Sequence, residues 1–143
     1  IFAGAAADPS YKNLKTIKMR TEQKKEAGAR FIQTQMIMDK KYLIDFCDEI
    51  SKPLNLPVLA GVFLLKSYKN ALFINKFVPG ANIPDQILNR LKESNNPGEE
   101  GINIAAEQVR EFIAISQGVH IMAVKSEHLI PEILKRAEIN LEY

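Results

Sequence analysis

The sequence predicts an α/β protein in which parallel strands are covered by helices, and three observations predict it. Four short apolar runs alternate with longer stretches of helical periodicity, in the order strand-helix repeated four times. The short runs are continuous rather than alternating, as expected for strands buried on both faces. Gly, Pro and Asn clusters punctuate the boundaries. Four such units, with right-handed connections, suit either a small open sheet or half of an eightfold barrel, which takes about 250 residues when whole. Periodicity is compatible with both.

The elements follow in order. Ile1 to Ala7 is apolar and stopped by Asp8-Pro9, where proline biases Asp8 away from helix, so a buried first strand is expected. Lys12 to Ala27 is rich in Lys, Glu, Gln and Arg and is followed by Gly28 at a C-terminal cap position, predicting a surface helix. Phe31 to Met38 forms the second strand. Tyr42, Leu43, Phe46, Cys47 and Ile50 then repeat at helical spacing until Pro53 ends the run. Pro57 to Leu65 is the third strand. Tyr68, Ala71 and Leu72 resume helical spacing as far as Pro79-Gly80.

Pro84, a suitable first helical residue, opens an inserted helix through Ile87, Leu88 and Leu91, which Asn95-Asn96-Pro97-Gly98 breaks. Ile102, Ala105, Ala106, Val109, Phe112 and Ile113 make the strongest amphipathic pattern and should cover the sheet. Val119 to Val124 is the fourth strand. Leu129, Ile130, Ile133, Leu134 and Ala137 give the last helix, and no linker divides the single domain, residues 1–143.

Composition narrows the function classes. The 143 residues are 46% hydrophobic and 25% charged, which excludes a disordered or low-complexity chain. Nineteen basic against seventeen acidic residues leave a net charge of +2, far from the balance of a dedicated nucleic-acid binder. Cys47 stands alone, so no internal disulfide framework or multi-cysteine metal site is expected, and a reducing, cytoplasmic compartment fits. The longest apolar run, Leu56 to Leu65, contains Pro57 and Gly61 and is about half of what a membrane-spanning helix needs. Ile1 to Ala7 lacks the basic residues that precede a signal h-region and reads as the inside of a fold exposed by a cut.

Ligands of parallel α/β folds gather at the carboxyl ends of the strands. Asp8 is a carboxylate at such an end, suited to act as a base or orienting acceptor, or else to close the turn beside Pro9. Gln35 ends strand two with an amide able to donate and accept to a heterocycle edge, or to bond a neighbouring strand. His120, among apolar neighbours, reads as a satisfied core histidine, and His128 as a surface one. Their separation of eight residues offers no metal-ligand spacing, and no protein-ligated metal is expected. G-x-G-x-x-G, G-x-x-x-x-G-K and G-x-S-x-G motifs are absent. The basic stretch Lys12, Lys15, Lys18, Arg20, Lys24 and Lys25 reads as a solvated helix face, as do Asp45, Asp48 and Glu49.

Five strings, Ala5-Ala6-Ala7-Asp8-Pro9, Glu26 through Gln35, Leu59-Ala60-Gly61-Val62, Gly101-Ile102 and Gly118-Val119-His120-Ile121-Met122, stand in an order and spacing that resemble the methylenetetrahydrofolate reductase family. The resemblance runs the length of the chain and is closest to archaeal-type or acetogen-type members. It implies a (β/α)8 TIM-barrel type fold of which this chain supplies four βα units, strands five to eight. It implies a flavin cofactor, FAD or alternatively FMN, that passes hydride from NAD(P)H or another donor to 5,10-methylenetetrahydrofolate. By position, Ala6, Asp8 and Lys24 would lie against the cofactor and Gln35 and Asn70 against the folate or pterin substrate. The acidic proton-donating residue would lie in strands one to four, outside this chain, so this segment alone is expected to be inactive.

The chain departs from the family pattern at Asp8, where many bacterial members have tyrosine, at Arg20 and Gln23 among the cofactor contacts, at Ile74 in place of an aromatic, and at Ser126 in place of an arginine. A half-barrel leaves two strand edges open, so the missing half or a partner subunit, a second copy in a dimer, or rearranged packing of the last helix should cover them. The competing readings are a non-catalytic half-barrel subunit, and an unrelated barrel lyase or aldolase using Lys66 or Lys125 as a Schiff-base lysine.

Overall fold

The structure, a computed structural model, describes residues 1–140, so the last three residues of the predicted domain lie outside it. Four strands, β1 (Gly4–Ala7), β2 (Phe31–Met36), β3 (Val58–Phe63) and β4 (Gly118–Met122), form one sheet. They are parallel and lie in sequence order, β1-β2-β3-β4. A doubly wound open sheet reverses its strand order at a switch point, whereas a barrel adds each strand beside the last. The observed order and the single helical face are consistent with half of an eightfold barrel.

That helical face holds the main core. Ile32, Val58, Ala60 and Val62 point into it and meet Phe46, Ile50, Ala105, Val109, Phe112 and Ile133 from the helices. Each such side chain, fully buried, contributes about 1.5–3 kcal/mol relative to exposure. The opposite face is uncovered: Ala6, Gln33 and Gln35 are exposed. Burial on both faces, the expectation from continuous apolar runs, therefore holds for one face only, because in a half-barrel nothing described fills the inner side.

Helix α1 (Leu14–Glu26) starts where the Asn13 side chain accepts from Thr16 N, and Gly28 follows its end at φ +106°, a conformation that favours glycine. Only Ile17 and Thr21 of α1 are buried; Lys15, Lys18, Arg20 and Lys25 are exposed as expected, whereas Lys24 is half-buried. β1 is shorter than predicted. Ile1 and Phe2 are exposed, and Phe2 instead stacks on Phe31 with centroids 5.7 Å apart.

Pro53 does not stop its helix where expected. Helix α2 (Lys40–Phe46) passes through a π turn, Cys47–Ser51, into a last turn, α3 (Lys52–Leu54), that contains Pro53. Proline cannot donate to the residue four back and its ring presses on that carbonyl; the wider π turn removes both demands. Asn55, in the left-handed region at φ 52°, ends the helix. The same turn buries Cys47, and burial pushes its thiol pKa above the ordinary value.

α4 (Tyr68–Phe77) and α5 (Asp85–Glu93) pack away from the main core on the sheet. Their buried residues Ala71, Ile74, Leu88 and Leu91 join Leu65, Ile83 and Ile104 in a second cluster. Pro84 precedes α5 as its cap rather than entering it. The helix that does cover the sheet is α6 (Pro97–Ile115), which begins five residues before Ile102, with Asn96 Oδ1 accepting from Glu99 N and Pro97 in the first turn. α7 (Ile130–Arg136) closes the layer against α6 through Ile133.

Arg90 fastens α5 to α6. Its Nη1 and Nη2 donate to the two Glu107 oxygens at 2.6 and 2.9 Å, and its Nε to Glu100 Oε1 at 2.7 Å. Hydrogen bonding to Arg90 holds the Glu107 carboxyl below its ordinary 4.5. A carboxylate with a depressed folded pKa contributes stability that is present above about pH 4.5 and lost as pH falls through its folded value. Because Glu107 is 44% exposed, that contribution is screened to about 1 kcal/mol or less. Urea titrations at pH 7 and pH 3 should therefore show Glu107→Gln less stable than the parent at neutrality and the gap closing in acid. A gap independent of pH would remove the ion pair from the account.

Candidate functional site

The uncovered face of the sheet is concave and holds a cavity of about 350 Å³. Gly4 and Ala6 from β1, Phe31, Gln33 and Gln35 from β2, and His120 and Met122 from β4 line it. Alternation along a strand places Gln33 and Gln35 on this face while Ile32 and Thr34 turn into the core. Gln35, predicted at this strand end, thus stands free on the cavity side rather than in inter-strand bonding.

The floor is built on an irregularity. Gln33 pairs with Leu59 but Met36 pairs with Gly61, so β2 spends one more residue than β3 across Thr34–Gln35. Three bonds hold this bulge. Gly61 N donates to Thr34 Oγ1 at 2.9 Å, the Thr34 hydroxyl donates to Gln35 O at 2.7 Å, and His120 Nε2 lies 2.8 Å from Thr34 O. His120 Nδ1 lies 3.3 Å from Gln33 Nε2. With Nε2–H donating to the carbonyl, Nδ1 is the acceptor for the glutamine amide. His120 is satisfied, as expected, but it is half-buried on the concave face and not a core residue.

Of the cofactor and substrate residues expected from the sequence, Ala6 and Gln35 share this cavity. Lys24 reaches it indirectly: it projects from α1 and its Nζ donates to the Ala6 carbonyl at 2.5 Å. Asp8 sits beyond the carboxyl end of β1, where its Oδ1 accepts from Ser10 N at 3.0 Å and lies 2.6 Å from Ser10 Oγ. Asp8 lines two other cavities, one of about 390 Å³ with Tyr11 and Gly80, and one of about 70 Å³ with Arg20 and Lys24. Asn70 is apart from all three, its Oδ1 accepting from Lys66 N at 3.1 Å at the start of α4. Lys66 donates to Val124 O and Lys125 forms a turn at φ 58°; neither lines the concave cavity.

Chemically, the cavity offers the small side chain of Ala6 beside the Phe31 ring, which packs over Gly4, amides that match donor–acceptor edges, and the Met122 thioether. Arg20 and Lys24, beside the carboxyl end of β1, supply the cations a phosphate requires. These donors fit the two parts of a flavin nucleotide, ring and phosphate. The sequence reading did not bring Gln33 or Met122 to this cavity, and it took His120 for a core residue. Gln33 was recoverable, since it stands two residues from Gln35 and shares its face; His120 was not, because its partner is two strands away.

The family model for methylenetetrahydrofolate reductase matches residues 4–138. No curated protein matches the chain. Among solved structures, the chain is similar to an uncharacterized protein from Clostridium thermocellum that binds two copies of 5-methyl-5,6,7,8-tetrahydrofolic acid. The two share 19% identity and a TM-score of 0.68 over 97% of this chain and 53% of that one, a likeness of fold in which this chain spans about half the length of its neighbour. Among the described residues no helix is long and apolar enough to cross a membrane.

Proposed function

The chain belongs to the methylenetetrahydrofolate reductase family, and from that membership we propose that it forms strands five to eight of a flavin-dependent reductase of 5,10-methylenetetrahydrofolate. The observation that carries the reading is the concave cavity, where Gln35 and Gln33 stand on the uncovered face of a parallel half-barrel beside the small residues of β1.

In this reading Gln35 donates to and accepts from the pterin edge, an arrangement its amide can satisfy with one ligand and no protonation change. Ala6 leaves room for the flavin ring beside Phe31, whose ring covers Gly4, while Lys24, Arg20 and Asp8 lie toward its ribityl and phosphate side. Lys24 uses one donor on Ala6 O, so two of its three N–H groups are left for phosphate oxygens. When bound, the flavin supplies two-electron chemistry between NAD(P)H or another donor and the methylene carbon. Asn70, at the start of α4, belongs to the outer reach of the substrate site.

The proton-donating acid is assigned to the other half of the barrel, which would also close the open edges of β1 and β4 and exclude water from the cavity. That half is either the rest of the same polypeptide or a partner subunit, and the assembled enzyme is expected to be an oligomer in the cytoplasm.

The full-length gene product tests the proposal. It should purify with flavin absorbance, or acquire it with added FAD, and bind 5-methyltetrahydrofolate. Gln35→Ala should weaken folate binding about tenfold, as for the loss of an amide's paired hydrogen bonds, with flavin content unchanged. A colourless protein that takes up no added FAD would sink the reading.

A further inference from the structure

The bulge in β2 gives Gln35 its place, and the groups that hold the bulge come from two other strands. A regular parallel ladder would carry β2 past β3 residue for residue; here Thr34 and Gln35 together face Ala60. A bulge leaves backbone polar groups off the ladder, and each needs a partner. The Thr34 carbonyl finds His120 Nε2 at 2.8 Å, although His120 belongs to β4 and β3 lies between them. The imidazole can cross β3 only because its direct ladder partner is Gly61. A Cβ there would come within 3.0 Å of His120 Nε2 and within 2.6 Å of the Gln35 carbonyl oxygen. The other ring nitrogen meets Gln33, so one side chain touches the backbone before Gln35 and the side chain two residues behind it.

We propose that His120 is a positioning residue: it pins the Thr34–Gln35 bulge from two strands away and so fixes the direction in which Gln35 and Gln33 present their amides to the cavity. This rests on the reading that the cavity takes a pterin, but the positioning itself does not. His120 acts through the glutamines and makes no bond to the reacting atoms.

Three variants of the full-length protein test it. His120→Leu removes both ring nitrogens, His120→Gln keeps an amide donor at the reach of Nε2, and Phe112→Leu perturbs the core of α6 away from the cavity. Crystal structures report the Thr34–Gln35 segment, and calorimetry reports the Kd for 5-methyltetrahydrofolate. His120→Leu should displace Gln35 and raise Kd about tenfold, His120→Gln should return Kd to within about threefold of the parent, and Phe112→Leu should lower the unfolding midpoint with Kd unchanged. An undisplaced Gln35 in His120→Leu, or a His120→Gln variant no better than His120→Leu, overturns the proposal. If the parent binds no 5-methyltetrahydrofolate while Gln35 moves in His120→Leu, the pterin reading fails and the positioning role stands.

Discussion

Alanine at Gly101 is expected to cost about 3 kcal/mol or more of stability, enough to leave a marginal protein largely unfolded. The sign runs against helix propensity, by which Gly→Ala inside a helix gains up to about 1 kcal/mol. Tertiary contact decides the outcome. A Cβ at Gly101 would fall 1.8 Å from the Leu65 carbonyl oxygen and 3.0 Å from its carbon, so α6 lies with its backbone on the segment that leaves β3. Backbone atoms cannot rotate aside, and the alternative is to lift α6 off the core that Ala105, Val109 and Phe112 share with the sheet. Gly98, one turn earlier, is the control: a Cβ there meets only the Asn96 side-chain oxygen, at 3.6 Å. Urea midpoints should show Gly98→Ala near the parent and Gly101→Ala far below it; equal midpoints for the two would remove the close approach from the account.

Alanine at Gly61 should injure both fold and site. The added carbon would stand 2.6 Å from Gln35 O, a backbone atom, and 3.0 Å from His120 Nε2, inside the cluster that holds the bulge. Either the bulge shifts or β3 separates from β2, at about 2–3 kcal/mol for overpacking of this kind. The functional loss should exceed what stability explains: in whatever fraction remains folded, 5-methyltetrahydrofolate affinity is expected to fall about tenfold, because Gln35 and His120 lose their common geometry. Calorimetry on the folded fraction, with Phe112→Leu as a variant of comparable destabilisation, separates the effects. A folded Gly61→Ala protein with parental affinity would show that the cavity tolerates a displaced bulge and would detach Gln35 from ligand recognition.

Legibility differed by element. α6 was clear because its apolar positions recur at 3.6 residues over several turns, a local property that packing then respects. β1 was overread: Ile1, Phe2 and Ala3 are apolar enough for a strand, yet strand formation needs a neighbour, and β2 pairs only from Phe31, opposite Gly4. α4 showed helical spacing, but no local pattern states whether a helix packs on a sheet or on another helix. Gln35 was visible as an amide at a strand end. Asp8 was visible in the same way and Asn70 only through the family resemblance; Asp8 turns out to accept from Ser10 and Asn70, in the first turn of α4, from Lys66 N, since short polar side chains satisfy nearby backbone first.

Periodicity and punctuation by themselves determined the α/β class, four strands, the helix that covers them, and a strand-end amide suited to a heterocycle. They did so because each is set within a few residues by side-chain alternation, helical spacing or proline and glycine stereochemistry. Tertiary structure alone decided that the sheet runs β1-β2-β3-β4 with one face open, that β2 is bulged at Thr34–Gln35, and that His120 reaches it across Gly61. These depend on residues up to 86 positions apart, Thr34 and His120 among them, and on the absence of one Cβ between them, a relation that exists only once three strands are laid side by side.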